Sequence, residues 1–191
     1  MEITSIHKPK IVVIGSCNTD MVVKANRLPV PGETILGGTF YMNPGGKGAN
    51  QAIAASRLGA EVTFISKIGY DLFGLQALEI YKSERINTEF IFTDQKSPSG
   101  VALISVDSFG ENSIIVAPGA SRSLSEEDIN KAEEKIKEAD IILMQLEIPI
   151  ETAEYAATIA NKYGKKVILN PAPASTLSNS FLNNVHTILP N

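Results

Sequence analysis

Asn18, Asp20, Lys47, Glu147, Asn170 and Asn191 are the residues whose types and placing suit chemistry. Among them stands a glycine stretch, Asn43-Pro44-Gly45-Gly46-Lys47-Gly48-Ala49-Asn50-Gln51-Ala52. It runs directly into a helical pattern, so Gly46, Lys47 and Asn50 sit where a loop becomes a helix N-terminus. Backbone N–H groups there point outward without intrahelical partners, with about half a positive charge of helix dipole behind them. Such a turn takes up something polar, whether phosphate, carboxylate or a row of hydroxyls. Asn18, Asp20, Glu147, Asn170 and Asn191 each follow an aliphatic run and so are expected at the carboxyl end of a strand. In an open parallel sheet those ends line one edge, where ligands bind and helices begin. Amides and carboxylates at fixed spacing recognise vicinal hydroxyls. Two acids disfavour an anion, although Lys47 partly offsets them. A small neutral polyol suits the set better than a phosphate ester. For Asn18 and Asp20, a turn in which Asx side chains bond their own backbone accounts for the residues equally well.

The elements that must position these groups follow from pattern. Ile11-Val12-Val13-Ile14, closed by Gly15, reads as a strand buried on both faces, and Met21-Val22-Val23 as a second strand. Residues 34–42 read as extended. Lys47 to Leu58 reads as a helix whose alanines allow close packing, with Gly59 as its cap. A strand over 61–68 and an amphipathic helix over 71–85 follow. Between 86 and 117 short strands separated by turns interrupt the α/β alternation. They predict a small β lid built from about 34–42 and 88–117, whose apolar face suits dimerisation. Ser125-Glu126-Glu127-Asp128 is a capping box opening a helix to about Glu138. Strands over 141–146, 166–169 and 185–189 alternate with a helix over 150–163, which Pro149 introduces.

The totals exclude several classes. The chain has 191 residues, 43% hydrophobic and 20% charged, with no internal repeat or low-complexity tract. At this length a domain buries roughly 70% of its unfolded surface. A net charge of −4 and a pI near 5.3 argue against nucleic acid or an anionic membrane as partner. No apolar run approaches 18 residues, and residues 1–10 lack a signal-peptide core, so a cytoplasmic protein is expected. The single cysteine, Cys17, excludes an intramolecular disulfide framework and reads as a core residue before a nucleophile. His7 and His186 stand far apart without ligand-spaced neighbours, so no metal site is expected among these residues. A phosphate-binding Walker loop would need glycine where Tyr41 stands and Ser or Thr where Gly48 stands. A dinucleotide fingerprint begun at Gly46 would need glycine at Gln51.

The segments Gly15-Ser16-Cys17-Asn18-Thr19-Asp20, Pro31-Gly32-Glu33-Thr34, Gly45 to Ala52, Ser99-Gly100-Val101-Ala102, Met144-Gln145-Leu146-Glu147 and Asn170-Pro171-Ala172-Pro173-Ala174 together carry a resemblance. Over almost its whole length the sequence resembles the PfkB family of carbohydrate kinases. The 144–147 and 170–174 segments favour the ribokinase branch over the adenosine, fructose and tagatose-phosphate branches. The resemblance implies a Rossmann-like, mostly parallel sheet flanked by helices, with a small β-sheet lid that commonly clasps a second copy as a homodimer. It implies ATP-dependent phosphorylation of D-ribose at the 5-hydroxyl, with Mg²⁺ and K⁺ as cofactors. Matched to the family, Asn18, Thr19, Asp20, Gly46, Lys47, Gly48, Ala49, Asn50 and Glu147 bind the sugar, and Asn191 lies near the nucleotide phosphates. Ala102, Ile104 and Ile114 fall in lid strands over the sugar, or serve as lid core alone. Pro44 departs from the family's usual residue, and its fixed φ stiffens the loop entry.

The family's second signature, Asp-Thr-x-Gly-Ala-Gly-Asp, has no counterpart up to Asn191. It supplies the catalytic aspartate and an anion hole, so no residue here takes the base role. The expectation is an N-terminal portion of a longer enzyme, inactive by itself, with the edge of its last strand uncovered. The alternatives are a truncated module that binds sugar or dimerises without catalysis, and another sugar or nucleoside kinase of the family.

Overall fold

The computed structural model describes residues 8–191. His7 and the stretch before it, which the signal-peptide argument used, lie outside the described residues. The β-branched run becomes strand β1 (Lys10–Ile14), with Val13 and Ile14 fully buried. It pairs in parallel with β4 (Glu61–Gly69) on one side and β8 (Ile141–Met144) on the other. Beyond β4 lies β5 (Ile91–Asp94), and beyond β8 lie β9 (Lys166–Leu169) and β10 (Thr187–Ile188), all parallel. The sheet order is therefore β10-β9-β8-β1-β4-β5. A parallel sheet needs both faces covered. Helices α1 (Lys47–Arg57) and α2 (Leu72–Ser83) cover one face through Ala49, Ala52, Ala55, Ala77 and Tyr81. The other face takes α3 (Glu126–Lys131), α4 (Glu133–Glu138), α5 (Ile150–Lys162) and α6 (Asn179–Asn183), through Ile129, Ile136, Ala156, Ala160 and Phe181.

A second sheet of four strands has the order β3-β2-β6-β7. Its strands are β2 (Asn18–Lys24), β3 (Thr39–Gly45), β6 (Gly100–Val106) and β7 (Asn112–Ala117). Three sequence expectations change here. Asn18 and Asp20 do not trail the first strand but open β2, paired with Gly100 and Ala102 on one side and Gly45 and Asn43 on the other. Of the 34–42 segment only the part from Thr39 is strand, and that strand runs on through Pro44 to Gly45. Pro44 is tolerated because β3 is an edge strand, where a missing N–H interrupts nothing. Within 88–117, Ile91–Asp94 pairs with β4 in the main sheet rather than joining the smaller one. In each case the deciding partner is remote in sequence, where local pattern carries no information.

The capping box at Ser125 forms as read: Ser125 Oγ accepts from the Asp128 N–H, and the Asp128 carboxylate accepts from the Ser125 N–H. The single helix expected after it is divided at Ala132 into α3 and α4. Lys67 Nζ, from β4, reaches Asp128 Oδ2 at 2.8 Å and the Ser123 carbonyl at 3.1 Å, tying this helix start to the sheet.

The first turn of α1 lies directly on the backbone that leaves β1. A Cβ added at Gly48 would fall 2.7 Å from the Gly15 carbonyl carbon and from both the N and O of Ser16. Alanine normally gains about 1 kcal/mol over glycine inside a helix. Here the overlap dominates, and Gly48→Ala is expected to lower stability by about 1–3 kcal/mol. Urea unfolding measures it; a gain in stability would contradict the contact.

Candidate functional site

Strand order reverses at β1: it continues to β4 and β5 one way and to β8, β9 and β10 the other. The crevice beyond the carboxyl ends of β1 and β8 is thus the topological switch point, where open α/β sheets bind ligands. Ser16, from the segment after β1, and Glu147, from the segment after β8, face each other across it. Ser16 Oγ donates to Glu147 Oε2 at 2.5 Å, and the Lys47 backbone N–H donates to the same oxygen at 2.9 Å. Lys47 Nζ lies 3.6 Å from the other oxygen, Oε1. The N-cap of α1 is Gly46, which has no side chain to cap with, so Glu147 supplies the anionic cap from 100 residues beyond Lys47 in the sequence. An anion there is favourable by up to about 2 kcal/mol when partly buried.

The glycine loop is therefore not the row of free donors its sequence suggested. The N–H of Lys47 goes to Glu147, that of Ala49 to the Ser16 carbonyl at 2.9 Å, and that of Asn50 to the Gly46 carbonyl. Its glycines serve close approach instead. Gly46 has a φ of +92°, and a Cβ on it would sit 2.8 Å from the Cys17 Cα and 2.9 Å from the Asn18 N. A Cβ at Gly45 would fall 2.1 Å from Asp20 Oδ1, and one at Gly100 would fall 2.1 Å from Asn18 Oδ1. The two polar side chains of β2 thus lie over the bare backbones of its neighbouring strands.

These contacts leave an open cavity of about 870 Å³. Ser16, Asn18, Lys47 and Glu147 form one wall, Val116, Pro118 and Arg122 a second, and residues 171–175 with Asn191 a third. Asn18 is 6% exposed, and its Oδ1 has no hydrogen-bond partner among the described residues. A buried acceptor left open costs about 1–3 kcal/mol, so a donor that fills it is favoured. Asp20 lies two residues along the same face of β2. Burial pushes its carboxyl above the ordinary value and the nearby Glu147 charge adds to this, while Lys47 opposes both.

Of the expected site residues, Asn18, Lys47, Glu147 and Asn191 line this cavity. By strand register Ala102, Ile104 and Ile114 share the sheet face of Asn18, Asp20 and Val116, with Ala102 buried and Ile114 half exposed. Thr19 lies on the opposite face, against α2. Ala49 is core and Asn50 is exposed on α1. Asn170 donates to the Leu189 carbonyl at 2.8 Å and to Asn191 Oδ1 at 3.0 Å, bracing the strand ends. Cys17 is buried, and burial pushes its thiol up to about 11, which suits a core residue. The sequence reading missed Ser16, Arg122 and residues 172–175 as cavity wall. Ser16 was findable, since it directly follows β1; Arg122, in a 3₁₀ turn after β7, carries no local signal.

Residues 8–191 match the model of the pfkB family carbohydrate kinases. The chain is 45% identical over 181 residues to the ribokinase of Haemophilus influenzae, covering 95% of this chain and 59% of that protein. It is 41% identical over 164 residues to a deoxyribokinase of Salmonella typhi, covering 86% of this chain and 54% of that protein. It superposes on the structure of Arabidopsis thaliana ribokinase complexed with ribose and ATP with a TM-score of 0.83 at 32% identity, covering 96% and 60% of the two chains. The chain thus spans a little under three-fifths of the length of these curated relatives.

The displaced Asp20 carboxyl has a thermodynamic consequence. A carboxyl whose folded value is raised is protonated in both states at low pH and resists ionising in the folded state at higher pH. It therefore destabilises the protein progressively as pH rises from the unfolded value, 3.8, through the folded one. Asp20→Asn removes that penalty. Its stability relative to the parent should rise as pH climbs from the unfolded value, 3.8, through the folded one and then level off in urea unfolding; a pH-independent difference would contradict the burial argument.

Proposed function

The chain belongs to the pfkB family of carbohydrate kinases, and from that premise we propose that it is the sugar-gripping part of a ribokinase. The reaction is transfer of the γ-phosphoryl group of ATP to the 5-hydroxyl of D-ribose. One observation carries this reading: Asn18, Lys47 and Glu147 meet at the switch-point cavity, where the unpartnered Asn18 oxygen is buried over Gly100. Asn18 and Asp20 present an amide and a carboxylate to vicinal hydroxyls. Glu147 holds the mouth of α1 in place, and Lys47 balances the acids so that a neutral sugar is accepted. Phosphoryl transfer is mostly positioning and charge stabilisation, and these residues supply the positioning.

Among the described residues no group of three or more His, Cys, Asp or Glu is placed to hold a metal ion. Mg²⁺ carried on nucleotide phosphates needs no such cluster, and Mg²⁺ and K⁺ are the cofactors of the whole enzyme in this reading. No residue of this chain is assigned the role of catalytic base. Asn191 is the nucleotide-side contact. The similarity to a deoxyribokinase favours deoxyribose as the second acceptor to test.

The second sheet acts as a lid with two working faces. Asn18, Asp20, Ala102, Ile104 and Ile114 turn toward the sugar. Phe40, Met42, Val23, Leu103 and Ile115 share the other face by register and are 41–70% exposed. A second copy covering that face would make a homodimer, since contiguous apolar patches of this kind mark association sites.

Calorimetry should find D-ribose binding to the 191-residue chain. Asp20→Ala and Asn18→Ala should each weaken it about tenfold or more, by loss of a hydrogen bond from a buried acceptor. Absence of sugar binding by the folded chain would overturn the reading. Material of confirmed 20.5 kDa mass is expected to show no ribose-dependent ATP turnover. Sedimentation should report a dimer that Leu103→Asp dissociates; a monomer at micromolar concentration would remove the lid interface.

A further inference from the structure

The second sheet meets the main one at the roots of β2 and β6, and the root of β6 is held by one carboxylate. Asp71 caps α2, its Oδ1 accepting from the Gly74 N–H at 2.9 Å. The same oxygen accepts from Ser99 Oγ at 2.7 Å, and Oδ2 accepts from the Ser99 N–H at 2.7 Å. Ser99 Oγ in turn accepts from the N–H of Gly69, the last residue of β4, at 3.0 Å. Ser99 is 7% exposed, so these bonds are sheltered from water. Burial alone would push the Asp71 carboxyl up; the bonds from Gly74, Ser99 and Phe73 outweigh it and hold the group below its ordinary value.

The packing around this knot leaves no slack. A Cβ at Gly69 would fall 2.4 Å from the Ser99 N, and one at Gly74 would fall 2.4 Å from the Gly69 O and 2.8 Å from Ser99 Oγ. Immediately after Ser99 comes Gly100, whose Cα lies beneath Asn18 Oδ1, and Asn18 and Gly100 are register partners. On the same side Gly119 is pressed onto residues 98–100, and the Ala120 N–H donates to the Pro98 carbonyl at 2.8 Å. The connection therefore runs from the end of β4 through Asp71 and Ser99 to Gly100 and the Asn18 amide at the cavity wall.

We propose that Asp71 is a positioning residue: by fixing Ser99 it pins the root of β6 and thereby sets where Asn18 presents its amide to the cavity. Its value for ligand binding rests on the sugar-gripping reading above. Asp71 itself touches no part of the cavity wall, so its effect passes through Ser99 and Gly100.

Asp71→Asn separates this role from helix capping. Asparagine caps as well as aspartate, through Oδ1 to the Gly74 N–H. Its Nδ2, however, would face the Ser99 N–H, donor against donor. Ser99→Ala is the second variant; it removes the hydroxyl and leaves the cap untouched. Each is expected to weaken D-ribose binding about tenfold by calorimetry, as coupled groups in one network do. Amide exchange followed by mass spectrometry should speed up about tenfold at residues 18–20 and 100–102, with α5 and β1 unchanged. Unaltered exchange at those two roots, or an equal rise across the whole chain, would overturn the proposal. Faster root exchange with unaltered ribose affinity would overturn it too, leaving Asp71 a structural cap. If the parent chain binds no ribose, the sugar-gripping reading fails and the exchange pattern alone decides whether Asp71 pins the root.

Discussion

The Glu147 carboxylate joins three pieces of chain at one point: the exit of β8, the exit of β1 through Ser16, and the first N–H of α1. The helix start has no side chain of its own at the cap, and its N–H groups would otherwise stand unpaired in a partly buried place. A carboxylate meets both needs, accepting the N–H and complementing the helix dipole. Its second oxygen faces Lys47, so the charge is balanced locally rather than by solvent. The crevice between β1 and β8 is open because strand order reverses there, and this one group bridges its mouth. Removing it would leave two donors without acceptors, which costs more than any packing gain an apolar substitute could return.

Around that anchor, close approach of backbones decides the geometry. Glycines at 15, 46 and 48 let α1 rest on the β1 exit, and those at 45 and 100 make room for Asp20 and Asn18. Two of these five bare positions let two polar side chains be sunk into the sheet root. Asp20 stands there at a cost, with burial and the Glu147 charge both working against its ionisation. The second sheet then has two unlike faces: one polar at its root and turned to the cavity, the other broadly apolar and exposed.

The alternating main sheet was legible because each strand is a short aliphatic run and each helix has its own start signal. Val12, Val13 and Ile14 could hardly be anything but a buried strand, and Ser125 with Asp128 announced a helix by bonds made within four residues. Membership of the pfkB family was legible from the glycine stretch together with the segments ending at Glu147 and Ala174. The second sheet was legible only as an interruption. Asn18-Thr19-Asp20 has turn composition, yet it is strand, because Gly45 and Gly100 flank it and accept its side chains. Ile91–Asp94 has the look of its neighbours in the meander, yet it belongs to β4.

By itself, then, the sequence determined most strands and helices of the α/β body, though not α6 or the place of β5, and which residue types gather at the strand ends. Those properties rest on side-chain period, capping and turn chemistry, which act over a few residues. Tertiary structure alone decided what the glycine loop is for. Read locally, it offers free N–H groups to an anion. Folded, the Lys47 N–H is spent on Glu147 and the Ala49 N–H on Ser16. A buried polar atom without a partner is instead an acceptor, the Asn18 side-chain oxygen. Which donors stay free depends on acceptors remote in sequence, Glu147 lying 100 residues from Lys47, and only the packed chain brings them within hydrogen-bonding distance.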